Sequence, residues 1–190
     1  MTTKAAKNAV IALCALCVVA TGLSAVAASS HFSKYVNERW GFCIAYPSKW
    51  LPYEGLNKAG VSLTYPGDDY SADNIIIGAL PNMESPSNPD KQMPLEEDAA
   101  SALESIGDAS GEAPSNVRVV SKEKIIFSGQ QAIRVQVTYT QKGVSRVEET
   151  IFVIKDKALY AFELKCSLRN RGLYEAAFGS ILKSFRWRCK

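Results

Sequence analysis

The chain has 190 residues, with 22 Lys and Arg against 19 Asp and Glu, and 47% of it is hydrophobic. That length suits one domain that buries its own core without needing a metal or a cage of disulfides. The near balance of charge excludes a general nucleic-acid binder, which needs many uncompensated cations to displace counterions.

Residues 1–27 read as a secretory signal peptide. Lys4 and Lys7 precede the apolar run Val10–Ala20, and Ser24-Ala25-Val26-Ala27-Ala28 supplies the small residues that suit cleavage after Ala27. The alternative is an uncleaved N-terminal membrane anchor, because Ala9–Ala28 carries no charge and about 20 apolar residues span a bilayer. Thr21, Gly22 and Ser24 weaken the second half of such a span. Without Lys4 and Lys7 the formal charge falls from +3 to near zero.

Residues 28–39 are expected as a flexible lead-in, and residues 40–190 as the domain itself. Trp40–Pro47 is a short β run stopped by proline, followed by a turn at Ser48-Lys49-Trp50. Val61–Tyr65 alternates as a half-buried strand and ends at Pro66-Gly67. Asn74–Leu80 contains Ile75-Ile76-Ile77, a β-branched run expected in a central strand covered on both faces. Residues 81–93, rich in Pro, Asn and Ser, are expected as a loop. Pro94, with Glu96, Glu97 and Asp98 at the positive end of a helix dipole, predicts a helix over Pro94–Ile106. Residues 107–116 are a linker by composition.

From Val117 the pattern predicts a four-strand meander over 117–127, 130–141, 145–154 and 158–167. Its turns, Ser128-Gly129, Lys142-Gly143 and Lys155-Asp156-Lys157, force antiparallel neighbours. A last helix is expected over Arg171–Ser184, with Leu173, Ala177, Ile181 and Phe185 inward and Phe178 and Leu182 widening the stripe. The sum is an α+β chain built on one antiparallel sheet.

Two stretches carry a family resemblance. Trp40-Gly41-Phe42-Cys43-Ile44-Ala45-Tyr46-Pro47-Ser48-Lys49-Trp50 resembles the opening signature of the PsbP-like group, and Leu159-Tyr160-Ala161-Phe162 through Ile181-Leu182-Lys183-Ser184-Phe185 resembles its ending. That group includes photosystem II extrinsic proteins, the Ran-binding Mog proteins and bacterial envelope proteins of the DcrB type, and the resemblance covers about residues 35–187. It implies an α/β/α sandwich around a central antiparallel sheet of six to seven strands with two main helices. It implies no shared activity, because fold does not carry function. The signal peptide favours the DcrB-like branch, in which members bind or assemble rather than catalyse.

The residues point the same way. The one histidine, His31, sits in the lead-in, so neither a Ser-His-Asp nor a Cys-His set is expected. No Cys-x-x-Cys lies beyond the leader, and no phosphate-binding glycine loop is present; no cofactor or metal is expected. Asp68, Asp69 and Asp73 share a turn-rich loop and raise calcium as a minor alternative, without EF-hand spacing. Glu148 and Glu149 point to opposite faces of one strand and form no catalytic pair.

Beyond the leader remain Cys43, Cys166 and Cys189. In an oxidising compartment one bridge and one spare thiol are expected. The last helix carries Cys189 about 20 Å from Cys166, at 1.5 Å per residue, so Cys43–Cys189 is the favoured bridge.

The C-terminal cations Arg169, Arg171, Lys183, Arg186 and Arg188 are the candidate partner-binding face. These features together predict an extracytoplasmic, non-enzymatic, monomeric protein. It would bind or help assemble an envelope protein complex, with peripheral membrane contact as a further option. The alternative is a carrier of a small ligand or lipid in a cleft beside the sheet and the 81–93 loop.

Overall fold

The computed structural model describes residues 31–55, 58–69, 72–81, 84–85, 88–92, 95–96 and 113–189. Three elements open the chain: β1 (Phe32–Asn37), β2 (Phe42–Pro47) and β3 (Leu51–Glu54). They are followed by β4 (Gly60–Thr64), β5 (Asn74–Pro81), β6 (Glu84–Ser85) and β7 (Asn88–Gln92). The meander is β8 (Ser115–Phe127), β9 (Gln130–Gln141), β10 (Val144–Lys155) and β11 (Ala158–Ser167). Helix α1 (Arg171–Ser184) and the two-residue β12 (Arg186–Trp187) close the chain.

The main sheet has seven antiparallel strands in the order β3-β4-β5-β11-β10-β9-β8. Its long half follows from local chemistry. Ser128 and Gly129, and Lys142 and Gly143, all take positive φ. Positive φ at both central positions is the turn that matches strand twist and closes a two-residue hairpin. β10 runs through Lys155, so the third turn is only Asp156-Lys157, one residue tighter than the sequence indicates.

One face of this sheet packs under α1 and under the small sheet β1-β2-β12. Ile75, Ile77, Val153, Phe162 and Leu164 meet Phe42, Ile44, Tyr174, Phe178, Ile181 and Phe185 there. The opposite face carries Ile133, Val135, Val137, Tyr139 and Phe152, with Leu95 packed against them. These β9 residues are the ones whose alternation is plain in the sequence.

The structure corrects four expectations. α1 is the one complete helix among the described residues, so two main helices are not supported. The segment expected to form the other lies outside them apart from Leu95 and Glu96. The molecule is α+β but mostly sheet, because four strands of ten to thirteen residues dominate it. The lead-in contains β1, held edge-on to β2 from Phe32↔Pro47 to Asn37↔Phe42. The 81–93 segment contains the β6–β7 hairpin rather than only loop. In α1 the inner stripe starts at Tyr174, while Leu173 is 43% exposed. Tyr174 takes the inner place because its ring packs edge-on against Trp50 at 4.7 Å and its hydroxyl finds polar partners beneath the helix. The segment expected as a signal peptide lies outside the described residues, and among those described no helix is long and apolar enough to cross a membrane.

Candidate binding sites

Two of the three carboxylates weighed as calcium ligands, Asp68 and Asp73, are tied into the fold by protein donors. Asp73 accepts from Arg146 Nη1 at 2.8 Å, Ser167 N–H at 2.9 Å, Ser167 Oγ at 3.1 Å and Asn170 Nδ2 at 2.7 Å. Asp68 accepts from the Tyr174 hydroxyl at 3.0 Å. The cluster ties β10, the end of β11 and the start of α1 to the loop before β5. Asn170 precedes α1 without capping it through its side chain, because that amide is turned onto Asp73.

The five C-terminal cations divide between the two ends of α1. Arg169 and Arg171 stand at the start of α1, and Lys183, Arg186 and Arg188 at its end, about 20 Å away by helix rise. Arg171 is ion-paired to Glu175 at 2.7 Å. It lines a cleft of about 400 Å³ that also holds the Arg134–Glu149 pair, at 2.8 Å. The charges there are internally matched.

The other end is different. Phe32, Lys34, Cys43, Ile44, Arg186, Trp187, Arg188 and Cys189 line an open cleft of about 470 Å³. β12 holds it in place by pairing Arg186 with Cys43 and Trp187 with Phe42. The expected Cys43–Cys189 disulfide is present, with Cα atoms 5.8 Å apart. Arg188 takes φ +61° and donates its N–H to the Gly41 carbonyl at 2.8 Å, which turns the chain end back over β2. The Arg186 guanidinium donates to the carbonyls of Lys183 and Phe185. Among the described residues none of Lys34, Lys183, Arg186 and Arg188 has a carboxylate partner. Sequence reasoning found Arg186 and Arg188 but missed Lys34, which only the β1–β2 pairing brings to them.

Cys166 is the buried free thiol. Burial, then the charge of Asp73, pushes it up to about 12, so Lys165 beside it in sequence does not activate it.

On the far face of the main sheet, small residues leave an apolar cleft of about 340 Å³ lined by Gly60, Ser62, Ile76, Gly78, Leu80, Leu159 and Ala161. Register places Gly60 beside Gly78, and Gly78 beside Ala161. Ser62 is 7% exposed, and its Oγ has no hydrogen-bond partner.

The same face brings Glu148 and Glu163 onto adjacent strands, which no local sequence pattern reveals. Glu148 stands opposite Lys165, and Thr150 opposite Glu163. Burial, and then Glu163, holds the Glu148 carboxyl up at about 7 against an ordinary 4.5, while Lys165 opposes the shift. A raised folded value means that the neutral carboxyl suits the fold. Its contribution is complete below 4.5 and is lost as pH rises from there through about 7. Glu148→Gln is therefore expected to remove part of the stability loss between pH 5 and pH 8, with a gain of about 2 kcal/mol at pH 8. Urea titrations of both proteins at the two pH values check this; parallel pH dependence would show that Glu148 is ionised in the native state.

No family model matches the chain, and no curated protein matches it. Solved structures do. The solution structure of cyanobacterial PsbP (CyanoP) from Synechocystis matches with a TM-score of 0.60 at 12% identity, over 83% of this chain and 93% of that one. A crystal structure from Bacteroides thetaiotaomicron matches with a TM-score of 0.51 at 11% identity, over 83% of this chain and 48% of that chain, so this chain spans about half of its length. At such identities the likeness is one of fold: the chain has a PsbP-like fold built on a seven-strand antiparallel sheet, and the second main helix that the resemblance implies is not supported.

Proposed function

We propose that this PsbP-fold protein works outside the cytoplasm as a non-catalytic binding or assembly factor for an envelope protein complex. Its contact would be the cleft at the chain end. The observation that carries this reading is the set Lys34, Arg186 and Arg188, exposed and without carboxylate partners, on a frame fixed by a disulfide and a strand pair. Charges already matched within the molecule, as around Arg171, add little for a partner; unmatched ones on a rigid frame give steering and register. The disulfide also suits an oxidising compartment, in keeping with the signal peptide read from the sequence.

The test is in-cell crosslinking and affinity purification of the tagged protein from its host envelope. Arg186→Glu with Arg188→Glu is expected to reduce capture of a stoichiometric partner about tenfold or more, while Arg169→Glu leaves it unchanged. Equal capture by all three proteins would reject this cleft as the contact.

A second reading, a carrier of a small apolar ligand, is favoured by the cleft over Gly60, Gly78 and Ala161. Its volume falls within the range of small-molecule sites, about 300–1,000 Å³. The unpartnered Ser62 hydroxyl would suit a ligand that brings one hydrogen-bonding group. Denaturing mass spectrometry of natively purified protein decides it: a retained small molecule supports the carrier, and bare protein counts against it.

A further inference from the structure

Among the described residues the main sheet ends in a strand with one neighbour. β8 is 13 residues long, the last strand in the sheet order, and among the described residues it pairs only with β9. Its side chains are largely open, with Val119 and Val120 each 56% exposed and Ile126 72% exposed, while Ile125 and Phe127 pack against the core on one face. A long apolar edge strand of this kind is a template for another strand, and proteins normally shorten, cover or break it. Here two register irregularities break the first half, between Ser115 and Arg118 and between Val119 and Ser121, and the stretch Ser121–Phe127 keeps a continuous register with β9.

The geometry of that stretch fixes which groups are open. Phe127 and Gln130 close the two-residue turn Ser128-Gly129, so they exchange ladder hydrogen bonds. By antiparallel alternation, the N–H and C=O of Lys122, Lys124 and Ile126 point away from β9. The exposed charges on β8 are Arg118, Lys122 and Lys124 against Glu123. The edge already draws a carboxylate, since Glu96 sits 2.8 Å from Lys124 Nζ. Lys124, and then more distantly Lys122, holds the Glu96 carboxyl below its ordinary value.

We propose that the free edge of β8 over Lys122–Ile126 receives an extended acidic segment of a partner protein by strand addition. Open backbone groups at alternate residues require an extended strand, and the lysines beside them select carboxylates. A second copy of β8 fits poorly. Antiparallel self-pairing centred on Ser121, Lys122, Glu123 or Lys124 sets Lys122 or Lys124 against Lys122, Lys124 or Arg118, and like charges across a strand pair are destabilising. No residue of Lys122–Ile126 lines the chain-end cleft, which reaches β8 only at its turn, where Trp187 donates to the Ser128 carbonyl, so the two readings fail independently.

The probe is a synthetic peptide alternating Glu with Val and Thr, compared with a Lys-for-Glu version and with a version carrying alternate prolines. Saturable binding of the acidic peptide alone is expected, by fluorescence anisotropy with amide shifts confined to β8. Lys122→Glu with Lys124→Glu should weaken it about tenfold or more, and so should Ile126→Pro, which removes one outward N–H without touching the β9 ladder. Arg186→Glu should leave it unchanged. Equal binding of the acidic and Lys peptides, or acidic-peptide binding that survives Ile126→Pro in a folded variant, would overturn the proposal. So would concentration-dependent dimerisation of the peptide-free protein that Ile126→Pro abolishes, because it would make a second copy the occupant.

Discussion

Asp73→Ala is expected to cost about 4 kcal/mol, one of the two largest losses foreseen for this protein. The reason is what remains behind. Arg146 is nearly buried, its side chain 10% exposed, and among the described residues Asp73 is the only carboxylate within ion-pairing distance of it. Removing the aspartate leaves an unpaired buried guanidinium whose Nε already lacks a hydrogen-bond partner. It also strips acceptors from Ser167 N–H, Ser167 Oγ and Asn170 Nδ2. An uncompensated buried charge typically costs about 3–5 kcal/mol, whereas exchanging both partners for apolar groups is often neutral. The double variant Asp73→Ala with Arg146→Met should therefore regain part of the loss, a coupling that a double-mutant cycle reads directly. Urea unfolding of the four proteins measures it. A single-variant loss under about 1 kcal/mol would mean that water replaces the carboxylate and that the cluster is not a closed core feature.

The same cluster shows where the sequence stops being informative. Asp68, Asp69 and Asp73 are visible as three carboxylates in one loop, a pattern that suggests calcium. Their donors are not visible, since Arg146, Ser167 and Asn170 lie 73 to 97 residues further on. Local patterns were legible where one periodicity ruled: the β9 alternation, the two glycine turns and the bounds of α1 read directly. β3 escaped because Leu51-Pro52-Tyr53-Glu54 is an edge strand with every residue exposed, so burial leaves no pattern in it. β1 escaped for a similar reason: as a sheet edge it alternates only between exposed and half-buried until Asn37. The Glu148–Glu163 pair and the Gly60–Gly78–Ala161 floor exist only through strand register. Arg169 and Arg186 looked like one basic face because the chain places them close in sequence, but the helix between them separates their ends.

Loss of the Cys43–Cys189 bridge is expected to be the other large effect. The bridge joins residues 146 positions apart, so it closes nearly the whole described domain into one loop. In the chain-entropy account, a loop of that size lowers the entropy of the unfolded chain enough to be worth roughly 5 kcal/mol. The native side adds to this, because the segment the bridge holds is short. β12 has two residues, and beyond its pairing with β2 it is secured by Trp187 packing edge-on against Tyr160 at 4.8 Å and Phe185 at 4.6 Å. Cys43→Ser with Cys189→Ser should thus lower the denaturation midpoint sharply, and reduction of the natural protein should lower it equally. The variant should also lose the partner capture proposed for Arg186 and Arg188 while keeping the acidic peptide proposed for β8, because only the first surface is framed by the bridge. Thiol counting under denaturing, non-reducing conditions, on protein that begins at Ala28 and so omits Cys14 and Cys17, should show one reactive cysteine, Cys166, and still one in the double variant. A stability difference below about 1 kcal/mol would show that the unfolded chain is already compact enough for closure to matter little.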